Sequence, residues 1–157
     1  MTNVWWVNQK EKIGNKVDHS VIWSPGDTPH ASQPWHWKTM WDVEEGDIIV
    51  HYSSKDQEIV AISKANSKAH PAKNPFSNSN SGGYIPRGKQ IGVDLKHLNE
   101  PIAKANIPLN VRQAASGTYE PFESNGEDIK QGYFFPVPED LWQAIQKLLD
   151  DTGQALP

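Results

Sequence analysis

Trp35-His36-Trp37-Lys38-Thr39-Met40-Trp41 places three indoles and an imidazole within seven residues of a chain that is only 36% hydrophobic. Each indole supplies a large flat face and one N–H donor, so the cluster suits either a small core or a pocket that stacks on a flat ligand. A stacking pocket also needs fixed donors and acceptors to read the ligand's edge. Such groups stand beside aromatic residues in Trp6-Val7-Asn8-Gln9, Trp23-Ser24-Pro25, His36-Trp37, His51-Tyr52-Ser53 and Gln131-Gly132-Tyr133. Taken singly, each is better explained as structure, and Trp6, Trp41 and Trp142 read as core. Four of the sites end or flank a predicted strand, where side chains can converge on one rim of a sheet.

Other chemistries find less support. Six histidines are present, but no H-E-x-x-H or other close ligand pair occurs, so no metal site is expected. There is no cysteine, no G-x-S-x-G elbow and no phosphate loop of the G-x-x-x-x-G-K-[ST] type. Asp128-Ile129-Lys130 resembles the acid-x-lysine element of Mg²⁺-dependent nucleases. Its bland reading, a solvated loop between Phe122 and Tyr133, is the better one.

The bulk properties narrow the field. A formal charge of -4 argues against a protein that coats nucleic acid through excess Lys and Arg. The absence of cysteine removes any disulfide framework or thiolate nucleophile. The amino terminus lacks the apolar core of a secretory signal, and no apolar run spans a bilayer, so a soluble, cytoplasmic protein with no membrane partner is expected. A chain of 157 residues suits a single domain over residues 1–150, with 151–157 as a frayed tail or the start of a linker.

The elements that must position the candidate residues are short. Val4-Trp5-Trp6-Val7 predicts a buried first strand, and His19 to Trp23 a second, stopped by the turn-forming Ser24-Pro25-Gly26-Asp27. Pro34 predicts the start of a short helix over 35–41, with Trp37, Met40 and Trp41 on one stripe. Ile48 to Tyr52 and Ile59 to Ser63 predict a central hairpin. The Asn-, Ser- and Gly-rich stretch 66–90 reads as a long loop, after which Ile91 to Leu95 resumes as strand. A helix is expected from Leu109 to Ala115, a strand over Gly132 to Val137, and a last helix after Pro138 with Leu141, Ile145, Leu148 and Leu149 on one face. Five or six strands that do not alternate regularly with helices favour a mixed α+β chain built on a small curved sheet or open barrel.

The succession WWVNQ, IWSP, HWKTMWDVEEGDIIVHYSS, IVAISKANSKAHP and YEPFESNGEDIKQGYFFPV resembles the EVE-type domain of the PUA-like superfamily. More narrowly, it is similar to the version at the amino end of modification-dependent restriction endonucleases. The resemblance runs from Val4 to about Leu149, and HW…M…V…GDIIVHY…IVAIS is its most specific part. It implies a PUA-like fold, with a strongly curved sheet or open barrel and short flanking helices. It also implies a non-catalytic reader, without a cofactor, that rotates a modified base out of DNA into an aromatic pocket. Cytosine modified at its 5 position is the base class associated with this subgroup, while related YTH domains take N6-methyladenine and RNA is an alternative ligand.

Carried over, the resemblance makes Trp23, Trp37 and Tyr52 the stacking groups and Asn8, Gln9, Ser53 and Gln131 the edge readers. Replacing Trp23 or Trp37 with alanine is then expected to abolish discrimination and spare the fold. Lys64, Lys68, Lys73, Arg87 and Lys89, with Lys96 and Lys104, surround the expected loop and are candidates for phosphate contacts. A restriction or phage-defence setting follows from the same resemblance. The nuclease or motor module that usually accompanies such a domain is not in this sequence, so the expected effector is fused or separate.

Overall fold

The computed structural model describes residues 2–9, 21–30, 32–74 and 87–157. The β-branched and aromatic run at the amino end forms strand β1 (Val4–Gln9), which lies parallel to β3 (Ile48–Ser53). Asp47 sets this pairing: its carboxylate accepts hydrogen bonds from the Asn3 amide at 3.1 Å, the Trp5 indole at 3.0 Å and the Glu44 amide at 2.9 Å. Gly46, at φ 96°, makes the turn that delivers Asp47, a conformation that costs a residue with Cβ dearly.

β3 turns back into β4 (Glu58–Ala65), the expected central hairpin, with a register shift between His51 and Tyr52. Next comes β6 (Arg87–Ala103), a long strand that serves two sets of partners. Its first part pairs with β2 (Val21–Pro25) and β5 (His70–Lys73), and its remainder with β4. β7 (Phe134–Pro136) closes on β1 from the other side. Six strands thus lie in the order β2-β6-β4-β3-β1-β7, with β5 added to β6, and the whole is a strongly curled half-barrel.

Inside the curl, Ile22 near one edge joins Trp5, Val7, Ile49, Ile91 and Phe134, together with Met40 and Val43. On the outer face Trp6, Val50, Tyr52, Ile62 and Phe135 pack against two helices, α2 (Leu109–Ala114) and α3 (Glu139–Asp151). Leu141, Trp142, Ile145 and Leu149 bury the inner stripe of α3, and Glu139 and Asp140 occupy its first turn, where carboxylates suit the helix dipole. The remaining helical piece, α1 (Trp35–Lys38), continues as a 3₁₀ turn over Thr39–Asp42.

Three expectations change. The stretch 66–90, read as a loop for its lack of apolar residues, contains β5 and the start of β6, because ladder hydrogen bonds need no apolar side chains. Residues 75–86 of it, like His19 and Ser20 of the expected second strand, lie outside the described residues. The second strand also runs through Ser24 and Pro25, where a turn was expected. Finally, the tail expected to fray is tied to β6: Gln154 exchanges hydrogen bonds with both backbone groups of Glu100, and Lys96 donates to the Ala155 carbonyl at 2.7 Å. Among the described residues no helix is long and apolar enough to cross a membrane.

Candidate functional site

Because β1 and β3 are parallel, their carboxyl ends arrive at one rim, with Asn8 opposite Tyr52 and Gln9 opposite Ser53. Ser54 locks the two ends together by donating its amide, at 2.7 Å, and its hydroxyl, at 3.2 Å, to the Gln9 carbonyl. Residues 130–133 are laid across the rim. The Asn8 amide donates to the Tyr133 carbonyl at 2.8 Å, and Asn8 Nδ2 donates to the carbonyls of Gly132 at 2.9 Å and Lys130 at 3.3 Å. Asn8 Oδ1 accepts the Trp6 indole N–H at 2.8 Å. Both ends of the Asn8 side chain are therefore committed to building the rim.

Gly132 allows the close approach that follows, since a Cβ there would stand 2.6 Å from the Phe135 ring and 3.1 Å from His36. Next to it the Tyr133 amide donates to His36 Nδ1 at 3.1 Å, which leaves the ring proton on Nε2. Burial lowers the His36 pKa and so favours this neutral ring. Burial raises the pKa of the Tyr133 hydroxyl, and the nearby main chain of Trp23 acts the other way. By these contacts Asn8, Gln9, residues 130–133 and His36, with Trp37 beside it, come together although far apart in sequence.

The expected pocket residues are not equally open to a ligand. Trp37 is half-buried on α1, edge-on to His36 at 5.9 Å, and Gln131 is exposed. Tyr52 is buried and stacks on Trp6 with centroids 5.0 Å apart; burial pushes its phenol up to about 12. Trp23 is 7% exposed, its indole donates to the Ala72 carbonyl at 3.2 Å, and it lies so close over Gly88 that a Cβ there would come within 2.5 Å of the ring. Tyr52 and Trp23 therefore offer no open face for stacking. Ser53 is fully buried, and its hydroxyl donates to Asp56 at 2.9 Å to close the hairpin turn.

Gln9 differs from these. Its Oε1 is buried and meets no hydrogen-bond partner. On the same inner face, His51 is fully buried; its Nε2 lies 2.7 Å from the Ser63 hydroxyl, while its Nδ1 is also without a partner. Desolvation, with a smaller contribution from His97, depresses the His51 pKa to about 3, so the ring is neutral. His51 and Tyr133 belong to clusters visible in the sequence, yet only the structure separates their roles from those of Tyr52 and Gln131.

The basic candidates divide similarly. Lys64, Lys68, Lys73 and Arg87 are exposed, with Lys68 3.3 Å from Glu44 and Arg87 3.7 Å from Asp27. Lys89 is not a surface cation: it points into the curl, fully buried, and donates to the carbonyls of Pro25 and Gly26 and to Gln33 Oε1. Burial pulls its ammonium down to about 8. Lys104 is also engaged, on the Glu127 carbonyl. Lys130, the lysine of the nuclease-like pattern, donates to the carbonyls of Ser116, Gly117 and Glu120, and Asp128 accepts from Asn125 at 2.9 Å. Both residues clip the segment that carries Gln131. Among the described residues no group of three or more histidine or acidic side chains could hold a metal ion.

No protein-family model matches the sequence, and neither does any curated protein. Solved structures do match over nearly the whole chain. Human THYN1 protein, in complex with 5-methylcytosine containing DNA, is 15% identical with a TM-score of 0.58, over 94% of this chain and 97% of that one. The DUF55 domain of human thymocyte nuclear protein 1 is 15% identical with a TM-score of 0.55, over 92% and 96%. A hypothetical protein from Leishmania major is 12% identical with a TM-score of 0.58, over 98% of each chain. The fold is thus the one these structures share, a strongly curled half-barrel sheet with a few short helices.

Proposed function

We propose that this protein is a non-catalytic reader of modified nucleic acid that receives a flipped base at the β1–β3 rim, with DNA carrying 5-modified cytosine as its ligand. The observation that carries the reading is the buried, unpartnered Oε1 of Gln9 at that rim. It is supported by the likeness of the whole fold to a protein solved with 5-methylcytosine containing DNA. An unsatisfied buried acceptor costs about 1–3 kcal/mol in the free protein, a cost relieved when a ligand donor reaches it. The exocyclic amino group of cytosine is such a donor.

Within this reading Trp37 supplies the stacking face, worth roughly 1–3 kcal/mol per base. Flipping costs a few kcal/mol, so stacking alone does not select a base and Gln9 and Gln131 supply the edge contacts. Trp23, Tyr52, Asn8 and Ser53 hold the frame. Lys64, Lys73 and Arg87 are the phosphate contacts; Lys73 and Arg87 lie directly opposite each other on β5 and β6, an arrangement of like charges that a bound phosphate would offset. Cleavage or remodelling of the DNA, in a restriction or defence setting, falls to a fused or separate nuclease or motor module.

The test is a titration of one labelled duplex carrying cytosine, 5-methylcytosine, 5-hydroxymethylcytosine or N6-methyladenine at a single position, with matched RNA as competitor. Tightening for one 5-modified cytosine, lost in Trp37→Ala, is the expected result. Equal, salt-sensitive binding to every duplex would overturn the reading, and stronger competition by the RNA would reassign the ligand.

A further inference from the structure

A concavity of about 460 Å³ opens beside α1, within the size range of small-ligand sites. Four aromatic residues, Trp5, Trp35, Trp41 and Tyr119, wall it, and Lys38 and Asp42 stand at its border. It is not the rim described above. Trp5 precedes Gln9 by four residues on β1, about 13 Å at roughly 3.3 Å per residue.

Its walls are built to keep faces apart. Trp35 meets Tyr119 edge-on at 5.1 Å and 77°, and Phe135 edge-on at 5.5 Å, which fixes the indole without covering it. Tyr119 remains 56% exposed, an arrangement that contributes little to a core. Trp5 is held by its bond to Asp47 and by stacking on Phe134 at 5.3 Å. The polar groups are unspent: among the described residues neither the Lys38 ammonium nor the Asp42 carboxylate has a hydrogen bond or ion pair, and the Trp41 indole nitrogen is buried without a partner.

We infer that this cleft is a second binding site, for the base of a nucleotide. Flat aromatic walls suit a heteroaromatic ring, and the free groups match what such a ligand carries. A base edge presents N–H donors for Asp42 together with carbonyl acceptors, and a phosphate suits Lys38. A proline-rich peptide would also fit aromatic walls, but its prolines bring no N–H to the carboxylate. The inference does not rest on the reading of the rim, because a free nucleotide would occupy the cleft whether or not the rim takes a flipped base.

The experiment follows tryptophan fluorescence of the full chain as the four ribonucleoside monophosphates, and then a short single-stranded oligonucleotide, are titrated in. Saturable quenching is expected in the wild type and in Gln9→Met, weakened about tenfold or more in Tyr119→Ala and Lys38→Ala. Both weakened variants replace exposed side chains, and a melting curve checks their folding. An oligonucleotide that quenches more tightly than its monomers identifies a base within a strand as the occupant; equal affinities identify a free nucleotide. Absence of saturation by any nucleotide, equal affinity in all variants, or saturation by a proline-rich peptide alone would overturn the inference. Loss of modified-base discrimination at the rim with nucleotide quenching retained would defeat the reading of the rim and leave the cleft standing.

Discussion

Gln9 and His51 project from adjacent parallel strands onto the same inner face, and each carries one buried polar atom, Oε1 and Nδ1, that meets no partner. Native interiors rarely leave such atoms unpaired, so two on one face, offset by two residues along the paired strands, mark a place where stability has been given up. Binding sites are where that is expected.

Gln9 can therefore separate stability from binding. Gln9→Met removes the orphaned acceptor while keeping the bulk of the side chain. Its unfolding free energy should equal or exceed that of the wild type, by up to about 1 kcal/mol. Affinity for the modified duplex should fall at the same time, by about tenfold or more. Denaturant melts and the duplex titration on the same preparation check both.

His51 sets an acid limit on the fold. In the unfolded chain its ring takes up a proton below about 6.5, whereas in the fold the pKa lies at about 3. Between these values the unfolded state binds more protons, so stability falls as pH falls, by about 1.4 kcal/mol per pH unit from this group. Replacing His51 with Asn should flatten the dependence of unfolding free energy on pH between 6 and 4, whatever it does to stability at neutral pH.

The two tryptophans first paired as stacking groups should behave differently. Trp23 is buried and bonded to Ala72, so Trp23→Ala should cost about 3–5 kcal/mol of stability, as truncation of a core aromatic does. Trp37 is half-buried on a four-residue helix, so Trp37→Ala should leave most of the stability and weaken duplex binding by about 1–3 kcal/mol. Thermal melts and titrations of the two variants side by side distinguish the cases.

Asp47 should be the costliest single carboxylate to lose. Three donors converge on it from the start of β1 and the turn before β3. Asp47→Ala leaves the buried Trp5 indole N–H and two part-buried amides without their acceptor and should destabilise by about 3 kcal/mol, with Asp47→Asn intermediate because one oxygen remains. The denaturant midpoint should drop with little change in slope.

Much of the chain could be read locally. The β3–β4 hairpin, α2, α3 and the strand at Phe134 emerge from period and turn signals of a few residues, and the curved α+β class follows from their irregular order. The meeting of Asn8 and Gln9 with residues 130–133 left only one local trace, that these residues flank strands. Their individual roles were not. β3 is buried at all six positions, inner residues by the curl and outer ones by the helices. With no polar face, its alternation is silent, so the sequence does not tell whether His51 or Tyr52 points inward. The parallel pairing of β1 with β3, the burial of Lys89 beneath Gln33 and the meeting of Tyr119 with Trp35 join segments with no local signal in common. Sequence by itself determined which faces are apolar and where the chain turns; which aromatic rings are left open to a ligand was decided by tertiary structure, because exposure depends on what distant segments cover.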